Sequence, residues 1–356
     1  MSRSAAFFAS LLVCLGRPTW WLLALAGFLA RGGIVLAILP IVMLPSPLAL
    51  SNLVAPVIVP LALGRVDETV VVAIGLIAVG LLAGILVGGL VGAATDLALI
   101  RDGVAAAGDE GVAGRSDDDA QAGPARPGDG ATVVVRILAV RLLAHLPFGI
   151  AIAIGVVRIV ATAYAVLTRP GDLATPVVVR VVVAAAGPII GIIVTWFLGE
   201  LVGGVAARRI VLDGAGIRTA LGGAVVALVR RPRSTLLPVV VTTIPLVVIV
   251  AGTLGGARIA WLRADAALTD PTIDGGTVVV TLMIFVAIWL AALTLIGLLT
   301  ATRSAALTFE AVRDDAKRLR SAALRGDSGD VLGGTFGAST HHRPGDRPIG
   351  DDGVSL

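Results

Sequence analysis

Apolar and polar positions in this chain fall into long blocks, not into the short periods of soluble helices or strands. Six stretches, at 20–44, 69–100, 147–168, 181–206, 234–257 and 275–302, supply the roughly 20 predominantly apolar residues that a helix needs to cross a bilayer. Each predicts a transmembrane helix, because in lipid every backbone N–H and C=O must be satisfied within the segment. The segment from Pro45 to Gly64 is also uncharged, but Pro45, Pro47, Pro56 and Pro60 would interrupt a spanning helix repeatedly. It reads as a re-entrant or interfacial excursion against the bundle, since irregular backbone at that depth needs cover from protein or water. The expected fold class is therefore all-α, a polytopic membrane helical bundle of about six transmembrane helices.

Within two of these stretches small residues recur at helical spacing. Gly80, Gly84, Gly88, Gly92 and Asp96 are four apart, and Gly187, Gly191, Thr195, Gly199 and Gly203 repeat the pattern. Residues four apart share a helix face, and glycine there admits a neighbouring backbone closely inside lipid. The two ridges predict close packing, most directly of the second span on the fourth. A shift of 111 residues brings them into register and also lays Leu90-Val91-Gly92 and Asp102-Gly103 on Leu201-Val202-Gly203 and Asp213-Gly214.

Arg17-Pro18 and Arg231-Pro232 each open a span, with Pro147 in the equivalent place between them. The reading is three weak repeats, at 1–102, 131–214 and 215–320, each a lead-in helix, a proline, a span, an outer loop and a second span. The third keeps only Gly297, Ala301 and Ala305 of its ridge, and chance matching among so many Gly, Ala, Val and Leu residues stays open as the alternative. The lead-in helices, near 2–16, 131–146 and 215–230, are expected along the membrane surface. Arg136 and Arg141 equally suit an inward extension of the third span, their stems snorkelling to the headgroups. Residues 103–130 and 321–356 lack an apolar period and are expected to be a disordered linker and tail, with a charged helix from about Arg303 to Leu324 before the latter.

Composition agrees with the pattern. The hydrophobic fraction is 57% and the charged fraction 15%, against about a quarter charged in soluble domains. Mean hydropathy is +0.98. One cysteine, Cys14, leaves no intrachain disulfide and no CxxC pair. Lys317 is the only lysine and follows no glycine-rich loop, which excludes a P-loop. A cleaved signal peptide is not expected, because Arg17-Pro18 interrupts the first apolar region and that region then runs on to Leu44. With the N-terminus cytoplasmic, the inner segments hold 21 Lys and Arg residues and the outer ones five. Both termini are therefore expected in the cytoplasm.

Charges inside the membrane are costly and are the default functional suspects. Four stand out: Arg31, Asp96, Arg158 and Glu200. Each arginine either pairs with an acid or a freed carbonyl near Gly32-Gly33 and ties the units together, or lines a polar pathway, or meets a lipid headgroup. On any of these readings Arg31, Arg158 and Glu200 should face protein or water. No catalytic, cofactor-binding or metal-binding residue is assigned. His145 beside Pro147 reads as interfacial, His341 and His342 lie in the tail, and no HExxH spacing occurs. Asp117-Asp118-Asp119 reads as a solvated linker, and Trp20, Trp21 and Trp261 as interfacial anchors.

The run from Gly216 through Arg230-Arg231-Pro232-Arg233 to Pro238 resembles the lead-in helix, basic turn and first span of uncharacterised bacterial six-helix families. In layout the chain is similar to the membrane domain found beside some glycerophosphodiester phosphodiesterases. The resemblance implies a multi-pass protein of the bacterial inner membrane, and the soluble segments are too short for a catalytic phosphodiesterase domain. The function expected is non-enzymatic: organising membrane partners or lipid, the alternative being a transporter or channel for a small polar solute. Expected partners are the bilayer, anionic lipid headgroups, and a membrane protein or a second copy of the chain; no nucleic acid is expected.

Overall fold

The computed structural model describes residues 3–35, 37–38, 68–109, 130–168, 177–269 and 275–324, and every element among them is a helix. Helices α1 (Arg3–Gly16) and α2 (Pro18–Phe28) are followed by a π-turn over Leu29–Gly33. Then come α3 (Glu68–Asp109), α4 (Gly130–Ala144), α5 (Leu146–Thr168), α6 (Val177–Ala184) and α7 (Ala186–Asp213). The last three are α8 (Ile217–Arg230), α9 (Pro232–Thr269) and α10 (Gly275–Leu324). Five described stretches are long and apolar enough to cross a membrane: Val70–Gly108, Gly130–Val166, Ala186–Asp213, Pro232–Arg263 and Gly276–Lys317. Ala5–Gly16 with Pro18–Gly33 makes a sixth if that bent pair counts as one. Asp314–Leu356 is a separate unit, helical as far as it is described.

Burial along these helices is uneven, and sequence explains why. The first half of α3 is apolar on every side, and Val71, Leu76, Val79 and Leu81 are all exposed, a surface suited to lipid and not to water. The core gathers at the other end. Cys14, Trp20 and Ala24 pack with Leu99, Ala106 and Ala107 of α3 and with Ala301, Ala305 and Phe309 of α10. A second cluster joins Ala93, Leu97 and Ile100 to Ile137 and Val140 of α4, Ala206, Ala207 and Ile210 of α7, and Ala220 and Ala224 of α8. Alanine dominates both, and small side chains are what let helices approach closely when lipid offers no hydrophobic drive to associate.

Arg17 leaves helical geometry, and Pro18, which lacks an N–H, starts α2 at the position where none is needed. The chain turns by 98° there. Trp20 is not the interfacial anchor expected but is buried at 2% exposure inside the corner, with the Arg17 guanidinium 5.2 Å from its ring centre. The Trp21 indole N–H donates to the Cys14 carbonyl at 2.6 Å, an oxygen near the end of α1 that also accepts from Arg17 N–H at 3.1 Å, so the corner is tied twice at one acceptor. Trp21→Phe should therefore lower stability in detergent by about 1 kcal/mol; a thermal midpoint equal to the parent's would show that the corner does not depend on this bond.

The expectation of a second lead-in helix along the surface gives way to the inward extension. The ladder continues through His145, whose N–H donates to Arg141 O at 3.1 Å while Gly149 N–H donates to His145 O at 3.0 Å, so α4 and α5 form one span of 37 residues. A comparable interruption separates α6 from α7, because Pro188 has no N–H to offer the Ala184 carbonyl. The linker expected from residue 103 begins later. α3 runs on to Asp109 because Ala106 and Ala107 are buried in the first core cluster. α10 likewise carries the last span and the charged helix as one element to Leu324. Residues 45–64, 110–129 and 325–356, on which the re-entrant segment and the rest of the linker and tail were expected, lie outside the described residues.

Candidate functional site

Three uncharged runs end at the same kind of position. Residues 69–95 lead to Asp96, 181–199 to Glu200 and 275–302 to Arg303. The structure brings these three ends together with Arg31, Arg141 and His145. Arg31 arrives through the π-turn: its own backbone (φ −85°, ψ 20°) leaves the helical region, and Gly32 at φ +102° adopts a conformation that side chains disfavour. Arg31 Nη1 then donates to Asp96 Oδ1 at 2.7 Å, and Arg141 Nη2 to Asp96 Oδ2 at 2.6 Å. Arg141 Nη1 reaches Glu200 Oε2 at 3.4 Å, and Arg303 Nη2 reaches the same oxygen at 3.2 Å. His145 Nε2 lies 3.3 Å from Glu200 Oε1 while its Nδ1 lies 2.9 Å from the Arg141 carbonyl. One chain of contacts, Arg31–Asp96–Arg141–Glu200–Arg303, thus links the first span to α3, α4, α7 and α10.

Arg141 bridges the two carboxylates, so losing Asp96 would strand Arg31 and losing Glu200 would strand Arg303, while Arg141 would keep one partner. The cluster is enclosed but not sealed: side-chain exposure is 9% at Asp96, 14% at Arg141, 16% at Glu200, 17% at Arg303 and 27% at Arg31. Arg208, one turn below Gly204 on α7, is buried at 4% exposure. Its partners are all neutral: Gly204 O at 2.7 Å, Ser304 O at 2.7 Å, Ser304 Oγ at 3.1 Å and Thr308 Oγ1 at 3.2 Å. Arg141 Nε is buried with no hydrogen-bond partner.

The glycine ridges divide into an open and a packed half. A Cβ added at Gly88 would strike the Ala30 carbonyl, and one at Gly92 would lie 2.8 Å from Arg31 Cγ. On α7 a Cβ at Gly199 would lie 2.9 Å from the His145 ring, and one at Gly203 3.2 Å from Arg141 Cδ. Gly92 and Gly203 thus lie under the stems of Arg31 and Arg141, while Gly88 and Gly199 admit the Ala30 carbonyl and the His145 ring beside them. At Gly80, Gly84, Gly187 and Gly191 nothing comes within 4 Å, so close approach within the described residues is confined to the lower half of each ridge. α3 and α7 do touch, through the alanine-rich second core cluster. Their glycine faces, however, turn to the first span and to the α4–α5 joint. The direct span-two to span-four ridge contact expected from sequence is corrected accordingly.

Of the four charges singled out by sequence, Arg31, Asp96 and Glu200 meet in one cluster. Arg158 does not: it is exposed on α5, so the expectation that protein would cover it is corrected, and it makes no ion pair among the described residues. Arg141, His145, Arg208 and Arg303 were not singled out. Arg141 and Arg303 carried a readable signal, since each stands at one end of an apolar run as Asp96 and Glu200 do.

Beyond the cluster, Phe28 and Ala37 of the first span, Val250 and Thr253 of α9 and Trp289 and Ile296 of α10 line an apolar crevice. The Trp289 indole N–H donates to Ala37 O at 3.0 Å at its edge. No group of three His, Cys, Asp or Glu residues with metal-binding spacing occurs among the described residues. No protein-family model, curated protein or solved structure matches this chain.

Proposed function

We propose that this chain is a multi-pass membrane protein that organises lipid or protein partners and carries out no reaction of its own, with both termini in the cytoplasm. The observation that supports it most is the use of the intramembrane charges. Asp96 and Glu200 are each committed to guanidiniums on other helices, which makes the cluster a clasp between spans. The apolar lining of the crevice beside α2 and α10 suits an acyl chain. On this reading the three helix pairs that follow Arg17, His145 and Arg231 are diverged copies of one unit, and the membrane is the bacterial inner membrane.

A second reading, passage of a small polar solute, is favoured by one observation: the first span breaks at Arg31–Gly32 inside the apolar region, as discontinuous helices do at transporter binding sites. Proteoliposomes loaded with a panel of labelled amino acids, sugars and organic anions separate the two. The expected result is flux no higher than in empty vesicles. Flux that Arg31→Gln abolishes without lowering the thermal midpoint would establish transport and end the organising reading.

A further inference from the structure

We infer that the arginine-rich cluster where the uncharged runs of α3, α7 and α10 end is a binding site for a phosphate group, carried by an anionic lipid headgroup or by free phosphate. The first ground is charge. Three guanidiniums, those of Arg31, Arg141 and Arg303, contact two carboxylates, those of Asp96 and Glu200, and a fourth, that of Arg208, is buried two turns beyond Glu200 on α7 with the Ser304 neighbour of Arg303 as a partner. Two positive charges remain over, before any contribution from His145. Excess charge of one sign in so enclosed a place is costly unless an ion of the other sign joins it.

The second ground is the hydrogen-bond inventory. Guanidinium carries five N–H donors and no acceptor, and its planar fork matches phosphate oxygens. Arg141 Nε is buried without a partner, although both terminal nitrogens of the same group are engaged. Arg208 has only neutral oxygens around it and no carboxylate within ion-pair distance among the described residues. The third ground is position. The cluster stands where the uncharged runs 69–95 and 275–302 end, which is where lipid phosphates lie, and Arg31 and Arg303 keep 27% and 17% of their side chains open.

The inference deepens the lipid-organising reading, and the two fail separately: solute flux would end that reading and leave anion binding standing, whereas absence of anion binding leaves partner organisation standing. The full chain, reconstituted in phosphatidylcholine nanodiscs, is titrated in two arms. One mixes phosphatidylglycerol into the disc; the other adds inorganic phosphate, with sodium chloride at matched ionic strength as reference. The readouts are the thermal midpoint and the retained anion in native mass spectrometry.

A saturable rise in midpoint with phosphatidylglycerol alone assigns a lipid, and one with inorganic phosphate assigns the free anion. In either case Arg31→Gln combined with Arg303→Gln should weaken apparent affinity by about tenfold or more, the size of one or two charged hydrogen bonds. These substitutions leave Asp96 and Glu200 each paired with Arg141, the midpoint of the anion-free variant reports whether it folds, and Arg218→Gln with Arg233→Gln on the exposed surface serves as the control that should change nothing. No saturable effect in either arm overturns the inference. So does equal weakening by the Arg218 and Arg233 pair, because that would be surface attraction and not a site.

Discussion

Glu200→Gln is expected to cost about 3–5 kcal/mol of stability, the size measured when one partner of a buried ion pair is removed and the other stays charged. Gln keeps the shape and a carbonyl oxygen but withdraws the negative charge from between Arg141 and Arg303. Only Asp96 then remains against four guanidiniums. The measurement is thermal or denaturant-induced unfolding in detergent, scored against the parent. Adding Arg303→Gln should return part of the loss, since the double variant removes one charge of each sign. The coupling in that cycle distinguishes a lost pair from a general weakening of the fold. A Glu200→Gln midpoint within error of the parent's would mean that the cluster does not hold the helices together.

Gly88→Ala comes second in size. Added to an open helix face, a methyl group is neutral or stabilising, because alanine is a better helix former than glycine by up to about 1 kcal/mol. At Gly88 the methyl would meet the Ala30 carbonyl, a backbone atom that cannot rotate aside and that belongs to the turn before Arg31. Overpacking of this kind costs about 1–3 kcal/mol. Gly80→Ala is the matched comparison, on the same helix, two turns away, with nothing within 4 Å. The expected ordering is Gly80→Ala at or above the parent and Gly88→Ala clearly below it. Equal behaviour of the two would show that the ridge's lower half is no tighter than its upper half. Gly92→Ala should fall between them, because its neighbour is the flexible Arg31 side chain.

How much of this could be read in the sequence differs between periodic and non-periodic features. The spans follow from uncharged length alone, and so does the all-helical character. The corner at Arg17-Pro18 was marked by its proline. The fate of the second lead-in helix was not, because Pro147 sits in the first turn after His145, where a missing N–H need not bend the chain. The glycine spacing announced a packing face but not its occupant. An i, i+4 row says which side of a helix is low, whereas what fills it depends on tertiary placement. Arg31, Asp96 and Glu200 stood out because they interrupt apolar stretches. Arg141 and Arg303 sat at the edges of such stretches, where basic residues are common in any multi-pass protein and so did not stand out. Arg158 interrupts its stretch just as conspicuously and yet belongs to no cluster, which shows that interruption alone does not define a site.

The order of the contacts along the chain has a consequence for biosynthesis. Arg31, Asp96, Arg141, Glu200 and Arg303 leave the ribosome with alternating sign, and each contacts the one before it. A first span entering the bilayer carries an arginine with no counter-ion until α3 follows it. From then on each helix that joins the series brings the sign the one before it lacks, α9 alone among the spans contributing nothing, so that of these five charges one cation is in excess after the first span, after α4 and after α10, and none after α3 or α7.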